Sequence, residues 1–300
     1  MNTNVIALVS GFGWHVQDLK RAADQAAIPF HAVPFSALRA RVAADSTHIL
    51  AGSLALNAND AVLVRMMPPG SLEQVVFRMD ALHALQTNGT LVVNPPRAVE
   101  TAVDKFLTLA RLQAAGLPVP LTYVVETARD ALRAFEDLGG DVVIKPLFGS
   151  EGRGLVRLAD RETASRVFHA LERIHSVLYV QKYQANMGYD LRVLVLAGRV
   201  IAAMRRFPKP GDWRANLAQG GKAEPIEPDA QQVKLAIASA RAVGAHWAGV
   251  DLLPTTRGEC VVLEVNAVPG WKGLARVTGI DVASLVLDDL QRLMREGRRP

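Results

Sequence analysis

The first third of the chain alternates short apolar runs with segments of helical periodicity. The apolar run Val5–Val9 predicts a strand, and the Gly11-Phe12-Gly13 turn leads into a helix with apolar positions through Ala26. The apolar run Leu91–Asn94 meets Pro95-Pro96, so we expect the last strand of this part to end there. A small α/β domain is therefore predicted for residues 1–97, with further strands at 30–33 and 61–65 and a helix at 72–85.

The middle of the chain has a similar mixture, punctuated by glycine and proline. A helix is expected over 100–115 and ends at Gly116, after which Pro118 and Pro120 favour an extended exit. A second compact domain, of the α+β type, is predicted for residues 98–182. Its other elements are strands at 121–125, 142–146, 155–158 and 177–181 and helices at 128–138 and 162–174.

The last part of the chain alternates strands with two long helices. This pattern predicts a third domain, again α+β, for residues 183–300, and it gives the whole chain a mixed α/β fold class. The expected elements are strands at 191–196, 199–206, 248–254 and 260–265 and helices near 229–243 and 281–296.

The composition is that of a soluble chain with more than one packed core, since half of the residues are apolar and 21% are charged. It excludes the collagen, disordered and disulfide-scaffold classes. No segment has the pattern of a secretory signal, and charges interrupt every apolar stretch, so we expect no transmembrane helix. Cys260 is the single cysteine and lies in a β-like run, which predicts a buried small hydrophobe and favours a reducing cytoplasm.

The formal net charge of +5 is concentrated in two segments. Residues 205–222 hold five basic groups against one acidic group, and residues 292–300 hold four against one. A nucleic-acid partner calls for a broad basic face with aromatic platforms, whereas the aromatic content is 6% and no known motif occurs. We therefore expect neither a nucleic acid nor a membrane as partner, and the first basic segment favours a phosphate-bearing small molecule.

A lysine and a glycine-rich loop indicate where a polyphosphate would bind. Lys145 interrupts an apolar strand, and in a core its ammonium must reach water or an anion. Residues 148–154 then supply three glycines, whose N–H groups can approach a phosphate closely. The alternative is a surface hairpin whose lysine has a buried stem. The loop is not a P-loop, because G-x-x-x-x-G-K-[ST] is absent from the sequence.

Oxygen ligands suited to a hard cation occur in the last third of the chain. Glu264 and Asn266 are two residues apart and so face the same side of a strand, while Asp251 is expected at a strand start. Two carboxylates and an amide oxygen predict a Mg²⁺ site, although an exposed strand glutamate is the alternative for Glu264. Three arginines could clamp a phosphate through their planar guanidinium forks: Arg192, Arg205 and Arg214.

Taken in order, these segments resemble the ATP-grasp ligases, and within them the RimK-like α-L-glutamate ligases. The resemblance runs from Asn94 to about Leu274 and rests on the joint order and spacing of its motifs. These motifs are Asn94-Pro95, Asp104-Lys105, Gly116-Leu117-Pro118-Val119-Pro120, Val143-Ile144-Lys145-Pro146, Gly149-Ser150-Glu151-Gly152-Arg153-Gly154, Val180-Gln181-Lys182-Tyr183, Asp190-Leu191-Arg192, Arg214-Ala215-Asn216, Gly249-Val250-Asp251 and Glu264-Val265-Asn266-Ala267-Val268-Pro269-Gly270.

The resemblance implies a three-domain ATP-grasp fold in which ATP lies between the central and C-terminal domains. It also implies a role for each matching residue. Phosphates would be held by Lys105 and Lys145, and the nucleotide site would be completed by Gly149, Ser150, Gly152, Gly154 and Asn216. Adenine would be contacted, largely through backbone groups, by Gln181, Lys182 and Tyr183, and the ribose would donate a hydrogen bond to Asp190. Mg²⁺ or Mn²⁺ would be bound by Asp251, Glu264 and Asn266, and developing negative charge would be stabilised by Arg192, Arg205 and Arg214.

The family reaction has two steps and needs no covalent enzyme nucleophile. A substrate carboxylate attacks the γ-phosphate of ATP to give an acyl phosphate, and an amine then displaces the phosphate to form an amide. The resemblance thus implies an ADP-forming carboxylate–amine ligase that adds glutamate or another amino acid to a cofactor precursor or a protein tail, and the cysteine usage noted above favours the cytoplasm. The alternative is a non-catalytic ATP-binding protein that retains the fold. Loops at 10–14 and 65–69 are expected to face the substrate, and a dimer or tetramer is a family-level expectation.

Overall fold

The computed structural model describes residues 4–149, 154–215 and 220–297, and these ranges contain four β-sheets. Each sheet lies within one of the three ranges predicted as domains. The division into domains at those boundaries stays a prediction. In the described part of the chain, no helix is both long enough and apolar enough to cross a membrane.

The N-terminal part is built on a parallel sheet that has the strand order β2-β1-β6-β7. Helices α1 and α2 cover its opposite faces, since Leu19 of α1 packs with Val5 and Leu82 of α2 packs with Ile6. This is why the first strand is apolar at every position. The elements are β1 (Val5–Val9), α1 (Trp14–Gln25), β2 (Phe30–Pro34), β3 (Leu38–Val42), β4 (Thr47–Ala51), β5 (Leu54–Ala55), β6 (Ala61–Val64), α2 (Leu72–Thr87) and β7 (Leu91–Val93).

Strands β3, β4 and β5 form a small antiparallel sheet that the sequence pattern did not predict. Strand β3 has the sequence LRARV, and only Leu38 of its five residues is buried. Arg39 and Arg41 are exposed and alternate with the apolar residues Leu38, Ala40 and Val42, which is a strand pattern that the sequence analysis did not use.

The central part contains an antiparallel sheet of order β10-β9-β11-β8, with α5 and α6 packed on one face. The single helix predicted at 100–115 is wrong, because two helices meet at Asp104. The Asp104 carboxylate accepts a hydrogen bond from the Leu107 N–H at 3.0 Å and so caps the second helix. The elements are α3 (Pro96–Val103), α4 (Lys105–Ala114), β8 (Thr122–Val125), α5 (Ala128–Asp137), β9 (Val142–Lys145), β10 (Val156–Leu158), α6 (Arg161–Arg173) and β11 (Leu178–Lys182).

The C-terminal part is built on an antiparallel sheet of order β14-β13-β12-β15-β16, and α7 and α4 pack on one of its faces. Strand β14 and helix α8 are short and were not predicted. The expected position of Asp251 at a strand start is also wrong, since it lies in the middle of β15. The elements are β12 (Asp190–Leu196), β13 (Arg199–Phe207), β14 (Lys222–Pro225), α7 (Ala230–Val243), β15 (Trp247–Pro254), β16 (Cys260–Asn266), α8 (Lys272–Thr278) and α9 (Val282–Glu296).

The N-terminal and C-terminal parts share one hydrophobic core. Helix α9 packs beside α1, and Trp247 and Trp271 are buried in the same cluster as Val5. The buried Asn94 side chain adds polar contacts, because its amide nitrogen donates to the carbonyl of Trp247 at 2.6 Å and its oxygen accepts from the Trp247 N–H at 2.8 Å. The shared core fixes the end of β7 against the C-terminal sheet.

Candidate functional site

A cavity of about 360 Å³ lies where the three parts of the chain meet. The central sheet lines it with Lys145 and Gln181, and the C-terminal sheet faces them across the cavity. The N-terminal part contributes His15, Arg65 and Met66. Of the residues predicted for the site, those that line this cavity are Lys145, Gln181, Lys182, Tyr183, Asp190, Arg192, Arg214, Asp251, Glu264 and Asn266.

Three of these side chains form a row across the C-terminal sheet. Arg192 on β12 pairs with Asp251 on β15, and Asp251 pairs in turn with Glu264 on β16. Cross-strand partners in an antiparallel sheet project from the same face, so pairing alone brings the three charges together. Arg192 Nε lies 3.0 Å from Asp251 Oδ1, and both side chains are largely buried.

A shift of register between Asp251 and Leu252 gives β16 one extra residue at this point. Such a bulge breaks the strict alternation of side chains along a strand. Both Leu263 and Glu264 consequently line the cavity, although adjacent strand residues normally point to opposite faces.

Arg206 is a buried residue of the site that the sequence analysis did not assign. It donates to both oxygens of Asp190, at 2.7 and 2.8 Å, and its Nη2 lies 3.1 Å from Asp251 Oδ2. Burial opposes the charge, but Asp251 and Asp190 together raise the pKa of Arg206 above its usual value. Asp190 therefore holds a guanidinium here, and its predicted contact with a ribose stays a prediction.

The neighbouring residue, Arg205, was predicted as catalytic and points elsewhere. Its guanidinium lies 4.4 Å from the centre of the Tyr189 ring, and Arg205 is not among the residues that line the cavity. Strand alternation explains the difference, because Arg205 and Arg206 are adjacent on β13 and face opposite sides of the sheet. This alternation was the signal in the sequence that could have selected Arg206.

Gly249 makes room for the Arg192 side chain. A Cβ at this position would lie 2.5 Å from Arg192 Nη1 and 3.0 Å from Pro269 Cβ. Gly249 pairs with Asn266 on β16, so the arginine crosses the sheet directly above the predicted metal ligands. The absence of a side chain at 249 is thus a requirement of the packing.

The three predicted metal ligands lie side by side. With its amide suitably oriented, Asn266 donates to Glu264 Oε1 at 3.0 Å and accepts from Arg192 Nη1 at 3.0 Å. Asp251 Oδ1 is buried and accepts no hydrogen bond from the described residues. The oxygens of two carboxylates and one amide are hard donors that fit Mg²⁺. Within the described ranges, no group of three or more His, Cys, Asp or Glu side chains is placed to hold a metal ion, either at this site or elsewhere.

Of the two predicted phosphate-binding lysines, Lys145 lines the cavity and Lys105 does not. Burial lowers the pKa of Lys145 to about 8, and Glu264 partly opposes this shift. Lys105 is also lowered in pKa by burial, and its Nζ donates to the carbonyls of Leu147 and Gly149 at 3.2 and 3.0 Å. Lys105 thus contacts the start of the glycine-rich loop rather than the cavity.

The described ends of the glycine-rich loop need glycine for different reasons. Gly149 has φ +153°, a backbone conformation that residues with a side chain rarely adopt, whereas Gly154 has φ +75°, and a Cβ there would lie 2.8 Å from Pro146 Cγ. Gly154 therefore combines a left-handed conformation with close packing. The predicted site residues Ser150 and Gly152, and Asn216 further along, lie outside the described residues.

The hinge residues predicted to meet adenine form the end of β11 and the residue after it. Gln181 is buried and donates to Thr122 Oγ1 at 2.9 Å. The backbone N–H groups of Lys182 and Tyr183 donate to the carbonyls of Leu121 and Asp141. The Tyr183 ring packs under Arg157, 3.5 Å from its guanidinium carbon. The two N–H groups are thus engaged within the chain.

The basic segment after β13 contributes one arginine to the cavity. Arg214 donates through Nε and Nη2 to Asp212, at 3.0 and 2.9 Å, and the same contacts lower the pKa of Asp212. The guanidinium is therefore held at the edge of the cavity by a carboxylate from its own loop.

The architecture is also found among solved structures. The ATP-grasp ligase PsnB, in a complex with a phosphomimetic variant of a minimal precursor, Mg and ADP, superposes with a TM-score of 0.78 at 22% identity, covering 98% of this chain and 99% of that one. The fold is that of the ATP-grasp ligases.

Sequence comparison narrows this class. Residues 102–290 match the RimK-like ATP-grasp domain, and the chain belongs to this family. It is 33% identical over 276 residues to the tetrahydromethanopterin:alpha-L-glutamate ligase of Methanosarcina acetivorans, covering 83% of this chain and 85% of that protein. It is 32% identical over 213 residues to a "Probable alpha-L-glutamate ligase" of Legionella pneumophila, covering 70% of each. The predicted fold class, family and ligase class are confirmed.

Proposed function

We propose that this protein is an ATP- and Mg²⁺-dependent ligase that joins a carboxylate to the amino group of an amino acid, with glutamate as the first candidate. The observation that carries the proposal is the row Arg192–Asp251–Glu264, in which Asp251 is buried and its two neighbours are partly buried, and which faces Lys145 across one cavity. Charged groups are expensive to bury without a partner of opposite charge, so a site of this kind favours a highly charged ligand. Family membership supports ATP as that ligand.

The cations of the cavity are proposed to bind the triphosphate. Lys145 extends from the central sheet, and Arg192 and Arg206 lie on the C-terminal sheet, so phosphate oxygens held between them would be surrounded by fixed donors. Arg214 would bind at the edge. Lys105 would act by fixing the glycine-rich loop, since it contacts two of that segment's carbonyls.

Asp251, Glu264 and Asn266 are proposed to hold Mg²⁺. The chemistry of these side chains supports this assignment, because carboxylate and amide oxygens are the hard donors that Mg²⁺ prefers, and the buried Asp251 Oδ1 faces the guanidinium Nε of Arg192 at 3.0 Å. Bound Mg²⁺ would neutralise phosphate charge and orient the phosphate oxygens. Arg192 contacts Asp251 Oδ1 through Nε. When Mg²⁺ is bound at Asp251, we expect the Arg192 guanidinium to contact both Asp251 and a phosphate oxygen.

The chain would promote the two-step reaction by position and charge. The arginines and Lys145 would hold the γ-phosphate in line with the substrate carboxylate, whose oxygen forms the new bond to phosphorus as ADP leaves. The amine nitrogen would then bond to the carbonyl carbon of the acyl phosphate, inorganic phosphate would leave with its bridging oxygen, and a proton would be released from the amine. Holding the acyl phosphate and the amine side by side in one cavity would favour amide formation over hydrolysis.

The names of the relatives support glutamate as the amine. Both relatives are named as α-L-glutamate ligases, and one name specifies tetrahydromethanopterin. We propose an acceptor that carries a free carboxylate, either on a cofactor precursor or at a protein tail. The single cysteine, Cys260, is a free buried thiol, and this cysteine usage supports the proposal of a cytoplasmic location.

The test is ADP release in a matrix of carboxylates and amino acids, with hydroxylamine added to trap an acyl phosphate as its hydroxamate. We expect Mg²⁺-dependent ADP release with one carboxylate class and a strong loss in Glu264→Gln. Glu259→Gln is the matched control, because Glu259 is exposed just before the same strand and should leave the rate unchanged. Full turnover by Glu264→Gln would contradict the site, and no nucleotide binding by the wild-type protein would contradict the function.

A further inference from the structure

Arg65 closes the N-terminal end of the cavity. It directly follows β6, and its backbone N–H donates to the Leu8 carbonyl at 2.9 Å. The guanidinium carbon lies 4.6 Å from the centre of the Trp271 ring and 5.0 Å from that of Trp247. These two indoles and the Pro269 carbonyl, which accepts from Nη2 at 3.0 Å, fix the plane of the guanidinium.

The Arg65 guanidinium lacks partners that its burial would demand. The residue is 6% exposed, and neither Nε nor Nη1 donates a hydrogen bond to any of the described residues. Burial lowers the pKa of Arg65 to about 9. Buried donors without acceptors are costly, and a charged donor is the most costly kind. An anionic acceptor in the cavity would satisfy these two nitrogens.

The position of Arg65 in the sheet independently indicates a ligand. The parallel sheet has the order β2-β1-β6-β7, so the chain leaves β1 toward β2 on one side and later continues from β6 toward β7 on the other. In open parallel sheets, ligands bind in the crevice beyond the carboxyl ends of the strands where the order reverses. Arg65 follows β6, and the His15 segment follows β1, so the two flank this crevice.

Of the three described N-terminal residues that line the cavity, His15, Arg65 and Met66, Arg65 is the one that carries a charge. His15 Nε2 accepts from the backbone N–H groups of Trp271 and Lys272, at 3.1 and 3.3 Å, so this nitrogen carries no proton. Burial, with a contribution from Arg65, lowers the pKa of His15 to about 4. The imidazole is therefore neutral at physiological pH and cannot replace the guanidinium as a cation.

We infer that Arg65 binds a carboxylate of an organic substrate and so forms a subsite separate from the phosphate-binding cations. This inference rests on the proposed function, and it extends that function by giving one residue a role toward the substrate. The triphosphate cations lie on the central and C-terminal sheets, whereas Arg65 belongs to the N-terminal part. The carboxylate can belong to the substrate that is activated or to the incoming amino acid.

The test compares KM values once the hydroxylamine screen has supplied a substrate pair. Arg65→Met keeps the side-chain volume and removes the donors, so we expect KM for one carboxylate-bearing substrate to rise about 10- to 100-fold. KM for ATP should not change. The substrate whose KM rises identifies the source of the carboxylate. Unchanged KM for both organic substrates, or a rise for ATP alone, would overturn the inference.

Two further variants separate binding from packing. Arg65→Lys keeps a cation and should restore part of the affinity, and it also replaces Arg65→Met if that protein fails to fold. Arg78→Met is the matched control, because Arg78 is another buried arginine that donates to a backbone carbonyl, that of Pro68, and does not line the cavity. A KM shift in Arg78→Met equal to that in Arg65→Met would show that loop packing is responsible, and would overturn the inference.

A second measurement keeps the inference testable if the screen finds no substrate. The dicarboxylate glutarate is titrated calorimetrically, in the presence of Mg²⁺ and ADP, into the wild-type protein and Arg65→Met at constant ionic strength. We expect binding by the wild-type protein that is at least about tenfold weaker in the variant. Indistinguishable titrations would refute the Arg65 subsite, whereas absent turnover alone would count against the proposed ligase.

Discussion

The pair formed by Asp190 and Arg206 offers the sharpest test of the electrostatic network. Replacing Asp190 with asparagine keeps the shape of the side chain and removes its charge. The two side chains are only 12% and 10% exposed, and Arg206 would retain Asp251 as its remaining charged partner. Loss of one partner of a buried ion pair costs about 3–5 kcal/mol. Because one carboxylate remains, we expect the lower end of that range.

A loss of about 3 kcal/mol corresponds to a fall in Tm of roughly 5 °C when the 300-residue chain unfolds as one unit. Thermal and urea unfolding of Asp190→Asn measure it, with Asp24→Asn as the control. Asp24 forms an exposed ion pair with Lys20, and such pairs contribute little to stability. The double variant Asp190→Leu/Arg206→Met should recover most of the stability and still fail to turn over ATP.

The competing role for Asp190, contact with the ribose, gives a different pattern. If Asp190 contacts the ribose, Asp190→Asn should unfold like the wild-type protein but have a raised KM for ATP. The KM values of the wild-type protein and the variant should then differ little for 2′-deoxy-ATP and 3′-deoxy-ATP, which lack a ribose hydroxyl. An unchanged unfolding midpoint with this nucleotide pattern would refute the view that Asp190 mainly fixes Arg206.

Three other predictions follow from local geometry. Burial lowers the pKa of Lys145 to about 8, and the charged form of Lys145 binds phosphate. The contribution of Lys145 to ATP affinity should therefore be constant below pH 8 and fall above it. Lys145→Arg should remove this dependence, and calorimetry across pH measures both proteins. Gly249→Ala should displace Arg192, whose Nη1 would lie 2.5 Å from the new Cβ, and so lower the rate of ADP release. Gly258→Asn is the control and should leave the rate unchanged, because the turn at Gly258 is open and asparagine tolerates its positive φ of +82°. Asp104→Ala should remove the cap of α4 and lower stability by about 1 kcal/mol in urea unfolding.

Much of the fold could be predicted from apolar periodicity. Strands with continuous apolar runs, such as Val5–Val9, are buried on both faces, and the large helices have clear periodic patterns. What the pattern missed are elements with little burial or with a local interruption. Strand β3 exposes its arginines, and the break between α3 and α4 depends on a single cap at Asp104.

The candidate site was predictable where spacing along one strand decides the geometry, as for Glu264 and Asn266. Strand alternation also holds a signal for Arg206, because it turns Arg206, rather than Arg205, toward Asp190 and Asp251. The site was not predictable where packing between distant parts of the chain decides the geometry. The unpartnered guanidinium of Arg65 exists only because two indoles from the C-terminal part pack against it. Such long-range contacts leave no regular signal in the sequence.

The central claim is that the substrate carboxylate is activated as an acyl phosphate. A carboxylate substrate labelled in both oxygens with the heavy isotope tests it directly, by mass spectrometry of the phosphate released with ADP. The carboxylate oxygen that attacks phosphorus leaves with phosphate when the amine attacks the carbonyl carbon. We therefore predict one heavy oxygen atom in each phosphate formed. Unlabelled phosphate, released at the same rate as the amide product forms, would contradict the account.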